Sequence, residues 1–294
     1  MGFYVKFWGT RGSIPTPGYA TQKYGGNTSC VEVRVDDNIF ICDGGTGLRE
    51  LGEDILRREN HPKKFHLFFS HSHWDHIQGF PFFGPAYIPQ YQLIVYGTQH
   101  GDDRIHNLLS GQMSSDYFPV DFSELQGQIL SDFIGEGGRS LDGVQVDYFG
   151  QKHPGDSWAF SFIKDGNKVV YATDSEIDLL LPNRKDVNDD LSAPRQVPKD
   201  LIEFVRGADL LVADGQYRDE EYKTKEGWGH PRATTVVDLA LQANVQQLAI
   251  FHHDPMHTDD MVEEKIAKCQ ARIDRAGSKL RVFGAREGVE LRLD

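Results

Sequence analysis

The chain has 294 residues, 39% of them hydrophobic and 11% aromatic, which supports a sizeable core and excludes general disorder. A formal net charge of −13 argues against a general affinity for nucleic acid, while leaving room for a local basic patch. Cys30, Cys42 and Cys269 form no CxxC pair, no apolar run approaches bilayer length, and Met1 to Trp8 lacks a signal-peptide pattern, so a reducing, cytoplasmic setting is expected.

Met1 to Trp8 reads as an opening strand. Val31-Glu32-Val33-Arg34-Val35 alternates at period two, and Asp36-Asp37-Asn38 turns it into Ile39-Phe40-Ile41-Cys42. Asp43-Gly44-Gly45-Thr46-Gly47 breaks that strand, and a helix follows with Leu48, Leu51, Ile55 and Leu56 on one face. A strand at Phe65 to Phe69 leads into His71-Ser72-His73-Trp74-Asp75-His76. Phe80 to Pro85 reads as an aromatic loop and Leu93 to Tyr96 as a strand, and one or two short helices fit between Asp102 and Gln128. Strands resume at Val144 to Tyr148, Ser157 to Ile163 and Lys168 to Ala172, the last two joined by a turn at Asp165-Gly166-Asn167. The polar, proline-bearing stretch Asn183 to Lys199 reads as an exposed loop. The final third alternates strand and helix: Leu210 to Ala213, Thr234 to Ala243, Gln247 to Phe251, Asp259 to Ala276, then a closing strand. No linker and no repeat appears, which gives one domain over 1–294 with an insertion around 99–140.

The chemistry concentrates at strand ends. Four metal-capable side chains, His71, His73, Asp75 and His76, fall within six residues just after a strand, where a sharp turn would gather them into one small volume. Neutral imidazole and carboxylate suit zinc and similar divalent ions. His153, Asp174 and the pair His252-His253 each follow a predicted strand as well. Asp43 is either an acceptor for a ligating imidazole or simply a turn residue.

On these residues the sequence resembles the metallo-β-lactamase superfamily, whose HxHxDH motif corresponds to His71, His73, Asp75 and His76. The resemblance runs from Gly9-Thr10-Arg11-Gly12-Ser13 to Ala285-Arg286-Glu287-Gly288. It implies an α/β fold, an αββα sandwich of two mixed β-sheets flanked by helices, and two divalent ions, zinc by default with manganese or iron also suited to these donors. It assigns His71, His73 and His153 to one ion and Asp75, His76 and His252 to the other, with Asp174 bridging. His252 is taken over His253 by register counted from Leu248, since a slip of one residue would turn the side chain to the other face. Two such ions would share a hydroxide as nucleophile.

Gly229-His230-Pro231-Arg232-Ala233-Thr234, with Asp214 upstream, resembles the branch containing ribonuclease Z and related phosphodiesterases. There a histidine at a late helix, oriented by an upstream acid, protonates the leaving alkoxide. Asp75, His230 and Asp214 are thus the candidate catalytic residues. Asp214 stands where that branch usually has glutamate, and Pro231 replaces a small polar residue. The insertion around 99–140 carries Asp102, Asp103, Asp116, Asp121, Glu124, Asp132 and Glu136 against Arg104 and Arg139, a balance that would repel RNA. Its aromatics Tyr117, Phe118 and Phe122 are read as packing, with base stacking as the alternative. The expected function is therefore a two-metal phosphodiesterase for a small phosphodiester such as a cyclic nucleotide, with bulk nucleic acid an unlikely partner, no membrane association and, on the resemblance, a homodimer. An RNA 3′-processing endonuclease of ribonuclease Z type and a lactonase or thioester hydrolase of the same fold are the alternatives.

Overall fold

The computed structural model describes residues 2–97 and 102–293, and side chains outside 102–104. By packing, the chain divides into two compact units: Met1–Gly18, Gly25–Gly137 and Arg286–Asp294 form the first, and Tyr19–Tyr24 with Gly138–Ala285 the second.

The first unit is built from β1 (Phe3–Gly9), β2 (Cys30–Val35), β3 (Asn38–Cys42), β4 (Lys64–Phe68), β5 (Gln92–Tyr96) and β6 (Gln128–Asp132), with helices α1 (Gly47–Arg57), α2 (Trp74–Ile77) and α3 (Asp102–Gln112). β1, β2 and β3 pair antiparallel, and β3 to β6 run parallel. Leu48, Leu51 and Ile55 of α1 pack into a core with Trp8, Ile39, Ile41, Phe65 and Phe69. Burying each such aliphatic side chain contributes about 1.5–3 kcal/mol. Leu56, expected on that face, is 39% exposed. Gly52 is buried in the same helix instead, where a Cβ would press on Phe83.

The expected insertion begins at residues 99–101, outside the described residues, as are the side chains of Asp102, Asp103 and Arg104. The remainder is part of the sheet unit. Ile105, Leu109 and Met113 are buried in its core, and β6 extends the parallel half beside β5. Phe118 and Phe122 pack on Phe82 and Phe80, as expected of packing residues, while Tyr117 is exposed.

The second unit comprises β7 (Arg139–Leu141), β8 (Val144–Lys152), β9 (Asp156–Lys164), β10 (Asn167–Ala172), β11 (Leu210–Asp214), β12 (Gln247–Phe251) and β13 (Arg281–Gly284), with α4 (Arg184–Asp189), α5 (Lys199–Val205), α6 (Asp219–Tyr222), α7 (Ala233–Gln242) and α8 (Asp259–Arg275). β7 to β10 are antiparallel neighbours and β10 to β13 parallel ones. Val236, Val237 and Ala240 of α7 and Cys269 and Ile273 of α8 share a core with Leu211, Ala213, Leu248 and Ile250. The stretch 183–199 is not simply the exposed loop its polarity suggested. It forms α4 and leads into α5, and Val187, Val197 and Arg195 are buried, the guanidinium paired with Asp219 at 2.8 Å. Apolar anchors spaced ten residues apart escape a periodicity reading.

A last strand, β14 (Glu290–Leu293), returns to the first sheet beside β1. Each unit thus has a mixed seven-stranded sheet with helices on it. In both, the parallel half brings strand ends to the residues singled out above: Asp43 follows β3, His71 follows β4, Asp174 follows β10, Asp214 closes β11 and His252 follows β12. Open α/β sheets bind ligands at that edge. All three cysteines are free and buried. Among the described residues no helix is long and apolar enough to cross a membrane.

Candidate metal centre

In the first unit the chain leaves β4 and turns into the four-residue helix α2, with His73 at its N-cap and Asp75 and His76 within it. The His71 ring lies 4.4 Å from that of His73 and 4.2 Å from that of His76, centroid to centroid. Asp43 organises this turn from beneath. Its Oδ1 accepts the Ser70 amide at 2.7 Å, and its Oδ2 accepts the Ser70 hydroxyl at 2.8 Å and pairs with His76 Nδ1 at 2.7 Å. Ser70 Oγ in turn lies 3.1 Å from His71 Nδ1. Both readings of Asp43 therefore hold: it is a turn residue, at φ +62°, and a fully buried acceptor. The turn fits only because Gly45 lacks a side chain, since a Cβ there would run into the Asp75 carbonyl and Thr28. Asp75 Oδ2 accepts the Ser13 amide at 2.7 Å and stands 3.2 Å from His76 Nε2.

In the second unit a second cluster forms from four separate strand ends. His153 lies in the turn between β8 and β9, its Nδ1 2.9 Å from the Gly229 carbonyl and its Nε2 3.7 Å from Asp174 Oδ2. Asp174 Oδ1 accepts the Thr173 hydroxyl at 2.7 Å and lies 3.2 Å from His252 Nε2. His252 Nδ1 is held by Gln216 Oε1 at 2.8 Å. His230 Nδ1 pairs with Asp214 Oδ2 at 2.8 Å, and its ring stacks on His252 at 4.9 Å between centroids and 22° between planes. One potential ligand atom from each of Asp174, Asp214, His230 and His252 lies within 4.8 Å of the others. His253 turns elsewhere: its Nε2 meets the Ala285 carbonyl at 2.9 Å and its ring abuts Tyr24. His230 sits three residues ahead of α7 rather than within it.

The donor chemistry fits divalent metal ions. His71, His76, His153 and His252 each have Nδ1 engaged by an oxygen, which sets Nε2 as the ring atom that would face a metal, the usual arrangement around one. Backbone strain collects at the same places. Ser13, Asp43, Asp174 and His252 all have φ between +53° and +67°, a region that side chains other than glycine occupy at some cost. Five contributors had no assigned role from sequence: Gln216, Ser13, Ser70, Thr173 and the Gly229 carbonyl. Gln216 follows Asp214 by two residues, and only its contact with His252, 36 residues on, reveals its part.

A family model described as a beta-lactamase superfamily domain matches residues 38–253. The ribonuclease Z of Picrophilus torridus is 22% identical over 293 residues, which covers 87% of this chain and 87% of the relative. Among solved structures, the metallo-β-lactamase fold protein YhfI from Bacillus subtilis matches with a TM-score of 0.68 at 16% identity over 99% of both chains. The short form of human tRNase Z matches with a TM-score of 0.65 at 17% identity over 98% of both. At such identities the likeness is one of fold, and that fold is the αββα class of two mixed, helix-flanked sheets expected from the sequence.

Proposed function

This chain belongs to the β-lactamase superfamily, and from that premise we propose that it is a metal-dependent phosphodiesterase acting on a small phosphodiester such as a cyclic nucleotide. One observation carries the reading: the buried His230–Asp214 pair at 2.8 Å, set among Asp174 and His252. A β-lactam or thioester can be opened with little help from an added acid. A sugar alkoxide leaves poorly unless protonated, and a histidine oriented by a carboxylate is suited to supply that proton.

In this reading His71, His73 and His153 would hold one divalent ion, Asp75, His76 and His252 the other, and Asp174 would serve both. Zinc is the first choice of metal. Bound, the ions supply counter-charge for phosphate oxygens and a water acidic enough to ionise near neutral pH. The chain's own residues do the rest. Asp214 accepts a hydrogen bond from the Nδ1–H of His230, which orients the imidazolium so that its Nε2 proton faces the departing oxygen. His252, stacked on His230 and fixed by Gln216, limits the swing of that ring. Asp43 holds His76 in a single orientation. The proton passes from Nε2 to the leaving alkoxide, and the imidazole ends neutral.

A second reading is RNA 3′-processing, favoured by full-length relatives named ribonuclease Z. Their likeness runs against the expectation that nucleic acid is an unlikely partner, an expectation drawn from net charge and the acidic stretch 99–140. Overall charge weighs little when a few local contacts can grip a backbone.

The test is hydrolysis of bis-p-nitrophenyl phosphate, 3′,5′-cyclic AMP and a precursor tRNA by the purified protein with zinc or manganese, beside His230→Ala. Turnover of cyclic AMP that collapses in the variant supports the main reading. Cleavage of the precursor tRNA alone moves the assignment to RNA processing. Inactivity on all three, with carbonyl esters or lactones turned over, overturns both.

A further inference from the structure

Glu176 lies two residues beyond Asp174, is 1% exposed, and has no part in the chemistry above. Its carboxylate is nonetheless fully engaged. Oε1 accepts the Tyr222 hydroxyl and the Gly227 amide, each at 2.7 Å, and Oε2 accepts the Gly229 amide at 2.8 Å. Gly227 and Gly229 have φ of +87° and +95°, so the turn presents two alternate amides to one anion, while the Trp228 amide between them donates to the Lys225 carbonyl. Here the anion is the chain's own side chain.

The bonds around Glu176 close on His153. The Glu176 amide donates to the carbonyl of Lys152, the residue before His153, at 2.6 Å. His153 Nδ1 meets the carbonyl of Gly229, whose amide returns to Glu176. Gly229 must be glycine for this, because a Cβ there would collide with the His153 ring. The next residue is His230. One carboxylate thus holds Gly229, whose carbonyl orients His153 and whose peptide bond carries His230. Tyr222 is braced in its turn by the Arg232 guanidinium, 4.2 Å over its ring.

We propose that Glu176 is a positioning residue that latches the Gly227–Trp228–Gly229 turn, setting His230 for proton donation and His153 for ligation. The proposal deepens the phosphodiesterase reading and rests on it for the His230 half, while the His153 half concerns metal binding alone. Glutamine is the informative replacement. It keeps the shape, but its amide would face one of the two glycine N–H groups, donor against donor, and the turn must shift. A displacement of about 1 Å at a reacting group costs on the order of 10²-fold.

The experiment uses the full chain with Glu176→Gln and, as a milder cut that keeps both glycine bonds, Tyr222→Phe. With cyclic AMP, whose leaving group is an alkoxide, turnover by Glu176→Gln should fall by about 10²-fold. With bis-p-nitrophenyl phosphate, whose phenolate leaves without an acid, it should fall far less, and Tyr222→Phe should show the same pattern more weakly. The double variant with His230→Ala should lose little beyond His230→Ala alone on cyclic AMP, since residues acting as a unit are not additive. Equal losses on the two substrates in a folded variant, or fully additive losses in the double variant, overturn the His230 half. Competition with a chromophoric chelator reads zinc affinity independently, and a 10–100-fold weakening in Glu176→Gln is the order expected for a lost ligand-orienting contact. Unchanged affinity overturns the His153 half. Wild-type inactivity on every phosphodiester would instead defeat the functional reading and leave the latch to be judged by the zinc titration.

Discussion

In the first unit the metal-capable residues lie within six positions, 71 to 76, on one turn and one short helix, and a single buried acid, Asp43, braces them. In the second unit Asp174, Asp214 and His252 stand at the ends of three parallel strands and His153 in a hairpin turn. Their mutual placement depends on strand register, Val169 beside Leu210 and Leu211 beside Leu248, together with the 227–229 turn. A cluster of the first kind is contiguous in the chain and is braced from a distance by Asp43 and Ser13. One of the second kind is a tertiary object, so a change far from the reacting atoms can displace it. The two units should therefore answer differently to substitution.

The largest effect is expected from Asp174→Ala. As the proposed bridge it should take at least one ion with it, so metal analysis should find fewer than two per chain and turnover should drop by about 10³-fold or more, several kcal/mol of transition-state stabilisation. Two ions retained in full would end the bridging role. His230→Ala comes next: it should keep both ions and lose about 10²–10⁴ in turnover on alkoxide-leaving substrates. Metal loss in that variant would instead make His230 a ligand, blurring the division of labour in the second unit. In the first unit, Asp43→Asn should weaken metal affinity by about 10–100-fold. It should also cost roughly 1–3 kcal/mol of stability, because an amide cannot accept all the bonds the carboxylate does. A loss of stability without any change in affinity would reduce Asp43 to a turn residue.

The same contrast governs what could be read from the chain. The motif at 71–76 announces itself because its partners are neighbours and it follows a strongly apolar strand. Most strands and the helices α1, α7 and α8 carry clear periodicity, and their positions match to within a few residues. β6 and β7 escape notice because Gln128 to Asp132 and Arg139 to Leu141 are polar edge segments with little to bury. The bonds that orient the site join residues far apart, Ser13 to Asp75 over 62 positions and Glu176 to Gly229 over 53, and no local pattern encodes them. His252 is instructive. Strand register favours it over His253, yet β12 ends at Phe251 and His252 has φ +55°, so a left-handed turn rather than the pleat aims its ring at Asp174.

The last effect concerns pH, where the two units carry buried groups of opposite kind. In the second, Lys265 is buried with Nζ 3.1 Å from the Gln216 carbonyl, and desolvation lowers its pKa to about 8 against the pull of nearby acids. Between pH 8 and 10.5 the unfolded chain holds this proton and the folded one does not, so the contribution of Lys265 to stability rises with pH by up to about 3 kcal/mol. In the first, burial raises Glu287 to about 7 although Asn27 hydrogen-bonds its carboxyl group. Here the folded chain holds the proton between pH 4.5 and 7 and the unfolded one does not. Its contribution is complete below about 4.5 and lost as pH climbs through 7, by about 1–2 kcal/mol after discounting for partial exposure. Denaturant titrations of wild type, Lys265→Met and Glu287→Gln from pH 4.5 to 10.5 separate the two. The gap between wild type and Lys265→Met should move in favour of wild type as pH rises above 8, and the gap to Glu287→Gln should move against wild type as pH rises from about 4.5 to 7. If the units fold as one domain, as we propose for 1–294, both shifts will appear in a single transition. Two transitions, each sensitive to one substitution only, would mean that the local cluster and the tertiary one belong to separately folding bodies.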